Sequence, residues 1–530
     1  LAILVQSQPV NLTLHREYFS CSLVYLLISQ NKPYLFIIKS RVYLYFLMLN
    51  VALALQCSVY LTRKEVKKLM SNSIETINPF TEEKIKEYNL LTHGEAKLAL
   101  ENADQSFNKW KLVDVAERAK LALSLARVIE DNQHELVQLM VDEMGKVKSQ
   151  GEQEVALCVE ICKYTASIAE QALANEERDY EQGKALITYQ PIGVILGIQP
   201  WNFPLYQVMR YSITNVVAGN TTVMKHASNV FGMAEKIQSL YEQAGFPKYV
   251  YQSLLIDGET ASKLISHDAI QGVTFTGSDE VGKLVAEEAA KHSKKTVLEL
   301  GSNDAYMVLD DADIALAIAT CVKGRVINNG ETCVSAKRFI VTEKNYDEFK
   351  QGFKKAMMQL RLGDPWADET DLGPMARKDL REKLHQQVTE SIKRGATVVC
   401  GCDIPEGEGF FYPASILENV KPNMPAYDDE LFGPVAALIK ASDDEEAMRI
   451  ANDSRYGLGG GIFSKNEERA VELAQKHFNT GMVNINGYGL SQPNLPFGGV
   501  KNSGYGREHG GFGLKEFVNI KSIMINRPTS

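Results

Sequence analysis

Residues 221–301 read TTVMKHASNVFGMAEKIQSLYEQAGFPKYVYQSLLIDGETASKLISHDAIQGVTFTGSDEVGKLVAEEAAKHSKKTVLELG, and their alternation decides the fold class. TTVMKHA (221–227), YQSLLIDG (251–258), GVTFTGS (272–278) and KKTVLELG (294–301) are short apolar runs of the kind that form strands. SNVFGMAEKIQSLYEQAG (228–245) and EVGKLVAEEAAKHS (280–293) instead repeat apolar residues every three or four positions, the period of a helix with one buried face. Strands alternating with helices predict an α/β fold, a parallel sheet with helices on both faces. Such sheets bind ligands outside the carboxyl ends of their strands.

Toward the N-terminus, residues 95–146 carry a helical pattern through Leu98, Phe107, Trp110 and AERAKLALSLARVIEDNQHELVQLMVDEMGK, with Gly145 placed to end it. A second helix is predicted over 152–174, and KALITYQPIGVILGIQPW (184–201) reads as extended chain. These segments join the first block in a nucleotide-binding candidate over 77–301. Toward the C-terminus the alternation starts afresh. AKRFIVTEK (336–344) and GPVAALIKA (433–441) read as strands, NYDEFKQGFKKAMMQL (345–360) and DDEEAMRIANDS (443–454) as helices, giving a second α/β domain.

A chain of 530 residues, 45% hydrophobic and 23% charged, exceeds what one core supports. The net charge of −9, without a basic stripe, excludes nucleic acid as the expected partner. Eight cysteines in this length do not make a disulfide scaffold, and neither Cys158/Cys162 nor Cys400/Cys402 has a second Cys/His pair at zinc spacing. No metal is expected, and the compartment is read as reducing. Residues 1–69 differ in texture. Val42–Leu61 has no charged residue, long enough for a membrane span. Met70 opens MSNSIETINPFTEEK like a natural start, so 1–69 is expected to be upstream sequence absent from the native protein, with a membrane anchor as the alternative.

Three residue types carry chemistry. Cys333, in INNGETCVSAKRF, lies in a polar, glycine-bearing loop after a predicted helix, where backbone N–H groups favour a nucleophilic thiolate. Glu299 ends a strand beside an apolar run that would raise its pKa toward that of a general base. Asn202, in QPWNFPLYQVMR, is fixed by prolines and aromatics, and a rigid amide N–H stabilises an oxyanion. Each alone has an ordinary structural explanation: an inert thiol, an exposed carboxylate, a turn asparagine.

Their order gives them weight. WNFP (201–204), FTGS (275–278), LELG (298–301), NNGETC (328–333), ELFGP (430–434) and PFGGVKNSGYGRE (496–508) occur in succession. The chain resembles the aldehyde dehydrogenase superfamily from about residue 77 to its end. Within that family KHASNV (225–230) and NLPFGGVKNSGYGRE (494–508) are most similar to the short bacterial succinate-semialdehyde dehydrogenases. The resemblance implies a Rossmann-type cofactor domain (77–172 and 192–301), an α/β catalytic domain (302–514) and a small β oligomerisation element (173–191 and 515–530). It implies Cys333 as nucleophile, Glu299 as general base, Asn202 as oxyanion donor with the Cys333 N–H as the second, and a cytoplasmic homodimer or homotetramer.

It also implies the ligand contacts. Lys225 would lie by the adenosine ribose. Ser228 stands where many NAD-using relatives carry a glutamate for the ribose 2′-hydroxyl, which favours NADP over NAD. Gly277, Ser278 and Gly282 suit phosphate binding at a helix N-terminus. Trp201, Glu430 and Phe432 would contact the nicotinamide end. Arg210 stands where related enzymes hold a substrate carboxylate, and Ser491 and Gln492 offer neutral donors; Ile327 replaces a second arginine of some relatives. The expected reaction is oxidation of a short aldehyde acid, succinate semialdehyde first. A membrane-anchored dehydrogenase of fatty aldehydes and a non-catalytic scaffold are the alternatives.

Overall fold

A computed structural model describes residues 73–526. The readings of 1–69, and the last residues of the expected oligomerisation element, lie outside the described residues.

The N-terminal helical pattern divides into His93–Trp110, Val115–Asp131 and Gln133–Met144, followed by Lys148–Ala172. Thr92 starts the first: its hydroxyl accepts from the Glu95 N–H at 3.2 Å and the Glu95 carboxylate accepts from the Thr92 N–H at 2.8 Å. Gly145 ends the third in the left-handed region, φ 70°. The extended stretch divides too. Gly183–Pro191 joins one sheet and Val194–Gln199 another.

The six-stranded sheet has the order Gly504–Tyr505, Lys295–Glu299, Ile270–Thr276, Val194–Gln199, Thr221–His226, Tyr251–Ser253. All neighbours are parallel except the first pair. Val194–Gln199 is flanked by the strand that follows it on one side and by a later strand on the other. The order therefore reverses between Val194–Gln199 and Ile270–Thr276, the switch point at which doubly wound sheets open a crevice. The predicted strand at 251–258 is only three residues long, and a single 3-10 turn, Ser228–Val230, precedes the helix Phe231–Gln243. Central strands are covered on both faces; Val194, Ile195 and Leu196 are fully buried.

A seven-stranded sheet holds the second α/β unit, in the order Thr397–Cys400, Ser415–Glu418, Val435–Ala441, Arg338–Thr342, Ala305–Val308, Gly460–Phe463, Asn484–Ile485. It is parallel apart from its first pair. Val518–Asn526 pairs antiparallel with Gly183–Pro191, which pairs with Glu176–Tyr180, in a separate three-stranded sheet. No helix among the described residues is long and apolar enough to cross a membrane.

Candidate active site

The switch point carries the site. After Val194–Gln199 the chain enters the Trp201–Asn202–Phe203–Pro204 loop; after Ile270–Thr276 it enters Gly277–Ser278 and the helix Asp279–Lys291. Together they open a cavity of about 550 Å³ that reaches Cys333 and is also lined by Glu430 and Phe432. The structure thus gathers Trp201, Asn202, Gly277, Ser278, Cys333, Glu430 and Phe432, which are far apart in sequence. Trp201 meets Phe432 edge-on at 5.9 Å. Ser278 caps its helix, its hydroxyl accepting from the Val281 N–H at 3.3 Å.

Other expected cofactor residues stand outside that cavity. Gly282 is a packing position: a Cβ there would come within 2.4 Å of Leu300. Lys225 is the penultimate residue of the strand Thr221–His226 and Ser228 opens the 3-10 turn after it. Burial lowers the Lys225 pKa, against the opposing pull of Asp257.

The loop that carries Cys333 is held from several sides. Asn328, Asn329 and Gly330 are successive left-handed residues, with φ 55°, 56° and 77°. Asparagine and glycine are the residues that tolerate this region. The Asn329 amide pins the turn, donating to the Gly145 and Pro374 carbonyls, each at 2.9 Å. Beyond the turn Cys333 is partly exposed at the floor of the cavity. Burial nevertheless pushes its thiol up to about 12, with Arg210 and Lys337 pulling it down.

Asn202 is immobilised against this loop. Its Nδ2 donates to the Glu331 carbonyl at 3.0 Å, while the Asn328 amide donates to the Asn202 carbonyl at 2.8 Å and to Glu331 at 3.1 Å. One Nδ2 hydrogen is used in orienting the amide, which leaves the other for a ligand beside Cys333. Glu154 fixes the other end of the loop by accepting from the Leu205 and Tyr206 N–H groups, both at 2.9 Å. It is itself paired with the fully buried Lys146.

Glu299 ends its strand 2% exposed, and neither carboxylate oxygen has a hydrogen-bond partner among the described residues. Its carboxyl packs toward Gly498, where a Cβ would lie 2.9 Å from Oε1. Burial pushes its pKa up to about 8, against the pull of Arg210 and with the help of Glu508.

Arg210, expected to bind the substrate carboxylate, is held in the structure by the protein's own groups. Arg210 is 1% exposed, its Nε is ion-paired with Glu508, and its Nη2 donates to Thr276 at 3.1 Å. The guanidinium lies 4.7 Å from the Phe497 ring and 5.3 Å from the Tyr206 ring. Those two rings wall a small cavity of about 20 Å³ at Cys333, also lined by Leu157, Phe203 and Leu490. Arg210 therefore sits behind the wall with a protein carboxylate already on it. Ser491 and Gln492 line an adjoining cavity of about 130 Å³ that shares Val334, Leu490 and Phe497 with the first.

This pairing has a measurable consequence. Arg210→Leu leaves Glu508 buried without its cation, a change worth about 3–5 kcal/mol. Denaturant unfolding should show that loss, and Arg210→Leu/Glu508→Leu should recover most of it. An Arg210→Leu enzyme as stable as wild type, with a raised KM only for carboxylate-bearing aldehydes, would restore the direct role.

Sequence reading missed Lys337, Ser302 and Gln207. Lys337 is 1% exposed and bonds to the Cys333 loop and to Glu430. Ser302 donates to the Cys333 carbonyl, and Gln207 lines both the large and the small cavity at Cys333. The only sequence signal for Lys337 was its place beside a second cation, Arg338, at the entry to an apolar strand. Among the described residues no group of His, Cys, Asp and Glu is placed to hold a metal ion.

A Rossmann-type sheet opening at its switch point onto a thiol defines a class of nucleotide-dependent oxidoreductases. The chain belongs to the aldehyde dehydrogenase family, whose profile, described as "Aldehyde dehydrogenase family", matches residues 66–523. It is an NAD(P)-dependent oxidoreductase acting on aldehydes. It is 40% identical over 453 residues to a probable succinate-semialdehyde dehydrogenase [NADP(+)] of Synechocystis, covering 86% of this chain and 100% of that one. It is also 40% identical over 452 residues to the succinate semialdehyde dehydrogenase [NAD(P)+] Sad of Escherichia coli, covering 85% and 98%. Among solved structures, the succinic semialdehyde dehydrogenase of Streptococcus pyogenes in complex with NADP+ superposes with TM-score 0.84 at 37% identity, covering 86% of this chain and 100% of that one.

Proposed function

We propose that this protein oxidises succinate semialdehyde to succinate with NADP, NAD serving less well. The observation that carries the choice of substrate is the full-length similarity to succinate-semialdehyde dehydrogenases, beside a small cavity at Cys333 lined by Phe203, Tyr206, Leu490 and Phe497. The full-length similarity to succinate-semialdehyde dehydrogenases supports the terminal carboxylate. Ser491 and Gln492 supply neutral donors for it from the adjoining cavity, and the charge of Arg210 stands behind Phe497.

The nicotinamide end of the cofactor fits the large cavity at the strand ends, with Glu430 for the ribose and Trp201 and Phe432 beside the ring, and the adenosine end would reach past it to Lys225 and Ser228. Bound there, the nicotinamide supplies a hydride acceptor. The chain's residues do the rest. The Cys333 thiolate adds to the aldehyde carbon, forming a C–S bond and a tetrahedral O⁻. The free Nδ2–H of Asn202 and the Cys333 N–H hold that oxyanion. Loss of hydride leaves a thioester on Cys333. Glu299 takes a proton from water, which attacks the thioester, releases the acid and returns the thiol. Glu299 packs toward Gly498 and must swing toward Cys333 to do so.

Residues 77–172 and 192–301 form the cofactor part and 302–514 the catalytic part in this reading. The three-stranded element of 173–191 and the C-terminal tail joins subunits of a homodimer or homotetramer. Val518–Asn526 suits that use: it is an edge strand among the described residues and exposes Ile520, Ile523, Met524 and Ile525. A cytoplasmic location agrees with the free state of the described cysteines.

The test is an aldehyde panel assayed in parallel with NADP and NAD. Succinate semialdehyde should give the highest kcat/KM, glutarate semialdehyde should follow, and butanal should be far poorer. Equal use of butanal and succinate semialdehyde would sink the carboxylate-binding reading. For the cofactor, Ser228→Glu places a carboxylate where the 2′-phosphate would sit beside Lys225. The NADP-over-NAD ratio of kcat/KM should fall about tenfold or more. A wild type that already prefers NAD would overturn the cofactor choice.

A further inference from the structure

Lys337 is buried among backbone carbonyls of the nucleophile loop. Its Nζ donates to the Thr332 carbonyl at 3.1 Å, to the Cys333 carbonyl at 2.6 Å and to Ser302 Oγ at 3.0 Å, and lies 3.2 Å from Glu430 Oε1. The Thr332 carbonyl also accepts from Ser335 Oγ at 3.0 Å and from the Ser335 N–H at 3.2 Å. The Cys333 carbonyl also accepts from Ser302 Oγ. The carbonyls on both sides of the Cys333 α-carbon are thus each bonded by the ammonium and by a serine hydroxyl.

One of these peptide units matters chemically. The Thr332 C=O and the Cys333 N–H belong to the same planar trans group and point in opposite directions. Holding the carbonyl from behind aims the N–H away from Lys337. Among the described residues that N–H donates to no backbone or side-chain acceptor. A carbonyl that accepts from a cation also makes its own N–H a stronger donor, because hydrogen bonds in series polarise one another.

We propose that Lys337 is the positioning residue of the oxyanion hole: its ammonium aligns and polarises the Thr332–Cys333 peptide so that the Cys333 N–H stabilises the tetrahedral oxyanion. The same cation favours the thiolate of Cys333, and its link to Glu430 joins the nucleophile loop to the cofactor cavity. This rests on the reading of Cys333 as nucleophile. Burying an ammonium is costly unless its donors are used; all the carbonyls it satisfies here belong to the loop that would carry the chemistry.

The charged and titratable groups that act on the Cys333 thiol are Arg210 and Lys337, which favour its ionised form, and Glu430 and Glu299, which oppose it. The Tyr488 phenol also lies within its field. The test uses Lys337→Met, which keeps the stem and removes the charge. Cofactor-free enzyme is inactivated with iodoacetamide across a pH series, and mass spectrometry locates the label. Burst-phase hydride transfer is measured alongside. The inactivation midpoint should move upward by on the order of one pH unit. The burst rate should fall about tenfold to a hundredfold, with a much smaller change in the aldehyde KM.

A merely structural lysine would lower stability and the fraction of active sites together, without moving the midpoint. Label on Cys333 with an unmoved midpoint and burst rate overturns the role of Lys337 alone. Inactivation with label on another cysteine overturns the nucleophile reading and this proposal with it. If Lys337→Met does not fold, Glu430→Gln decides. Removing the carboxylate that opposes the ammonium should move the midpoint downward, and an unmoved or raised midpoint overturns the proposal.

Discussion

Replacing Cys333 with alanine should abolish aldehyde oxidation while leaving cofactor affinity unchanged, as judged by fluorescence titration of the reduced cofactor. The expected loss is several orders of magnitude, because the variant has no atom to form the covalent intermediate. The structure makes the prediction sharper by disqualifying three of the other thiols. Cys321 is fully buried in the helix Ile314–Val326, and burial raises its thiol well above the usual range. Cys158 and Cys162 are fully buried in Lys148–Ala172, and burial raises them too. None of the three lines a cavity at the site. Turnover surviving in Cys333→Ala would therefore require a nucleophile other than these three thiols.

Glu299→Gln should separate the two halves of the reaction. The thiol still adds and hydride still leaves, so one equivalent of reduced cofactor forms rapidly; hydrolysis of the thioester then limits further turnover. The pH dependence follows from the same carboxyl. Its pKa is raised, chiefly by burial, to about 8. The base is the ionised form, so the wild-type steady-state rate should climb as pH rises through about 8 and fall away below it. In Glu299→Gln that limb should vanish from the steady-state rate while the burst amplitude persists. A variant that loses burst and steady rate equally, or keeps the alkaline limb, would show that Glu299 is not the deacylation base.

Much of this site was legible because its parts are local. WNFP, FTGS, LELG, NNGETC and ELFGP are each a strand end or a turn whose residue types carry their own constraint, and the large cavity draws on every one of them. Glycine and asparagine mark the left-handed turn before Cys333 for the same reason. What escaped reading depends on pairs far apart in the chain. Arg210 looked available because nothing near it in sequence neutralises it; its partner Glu508 arrives from the other end of the protein. Lys337 looked like one more strand residue until Glu430 and the Cys333 carbonyl were seen around it.

By itself, then, the sequence determined the α/β class and the strands and helices around the switch point, and it singled out the thiol, carboxyl and amide that the proposed mechanism uses. Periodicity and turn chemistry depend on neighbours a few residues away, so a linear reading reaches them. Only the tertiary structure decided the strand order, the division of the N-terminal pattern into separate helices and the pairing of Val518–Asn526 with Gly183–Pro191. It alone decided which charges are already spent. Arg210 faces Glu508 across a buried contact and Glu299 is left without a hydrogen-bond partner. Charge availability and pKa are set by what packs against a group in three dimensions, and that proximity is created by folding rather than written at any single position.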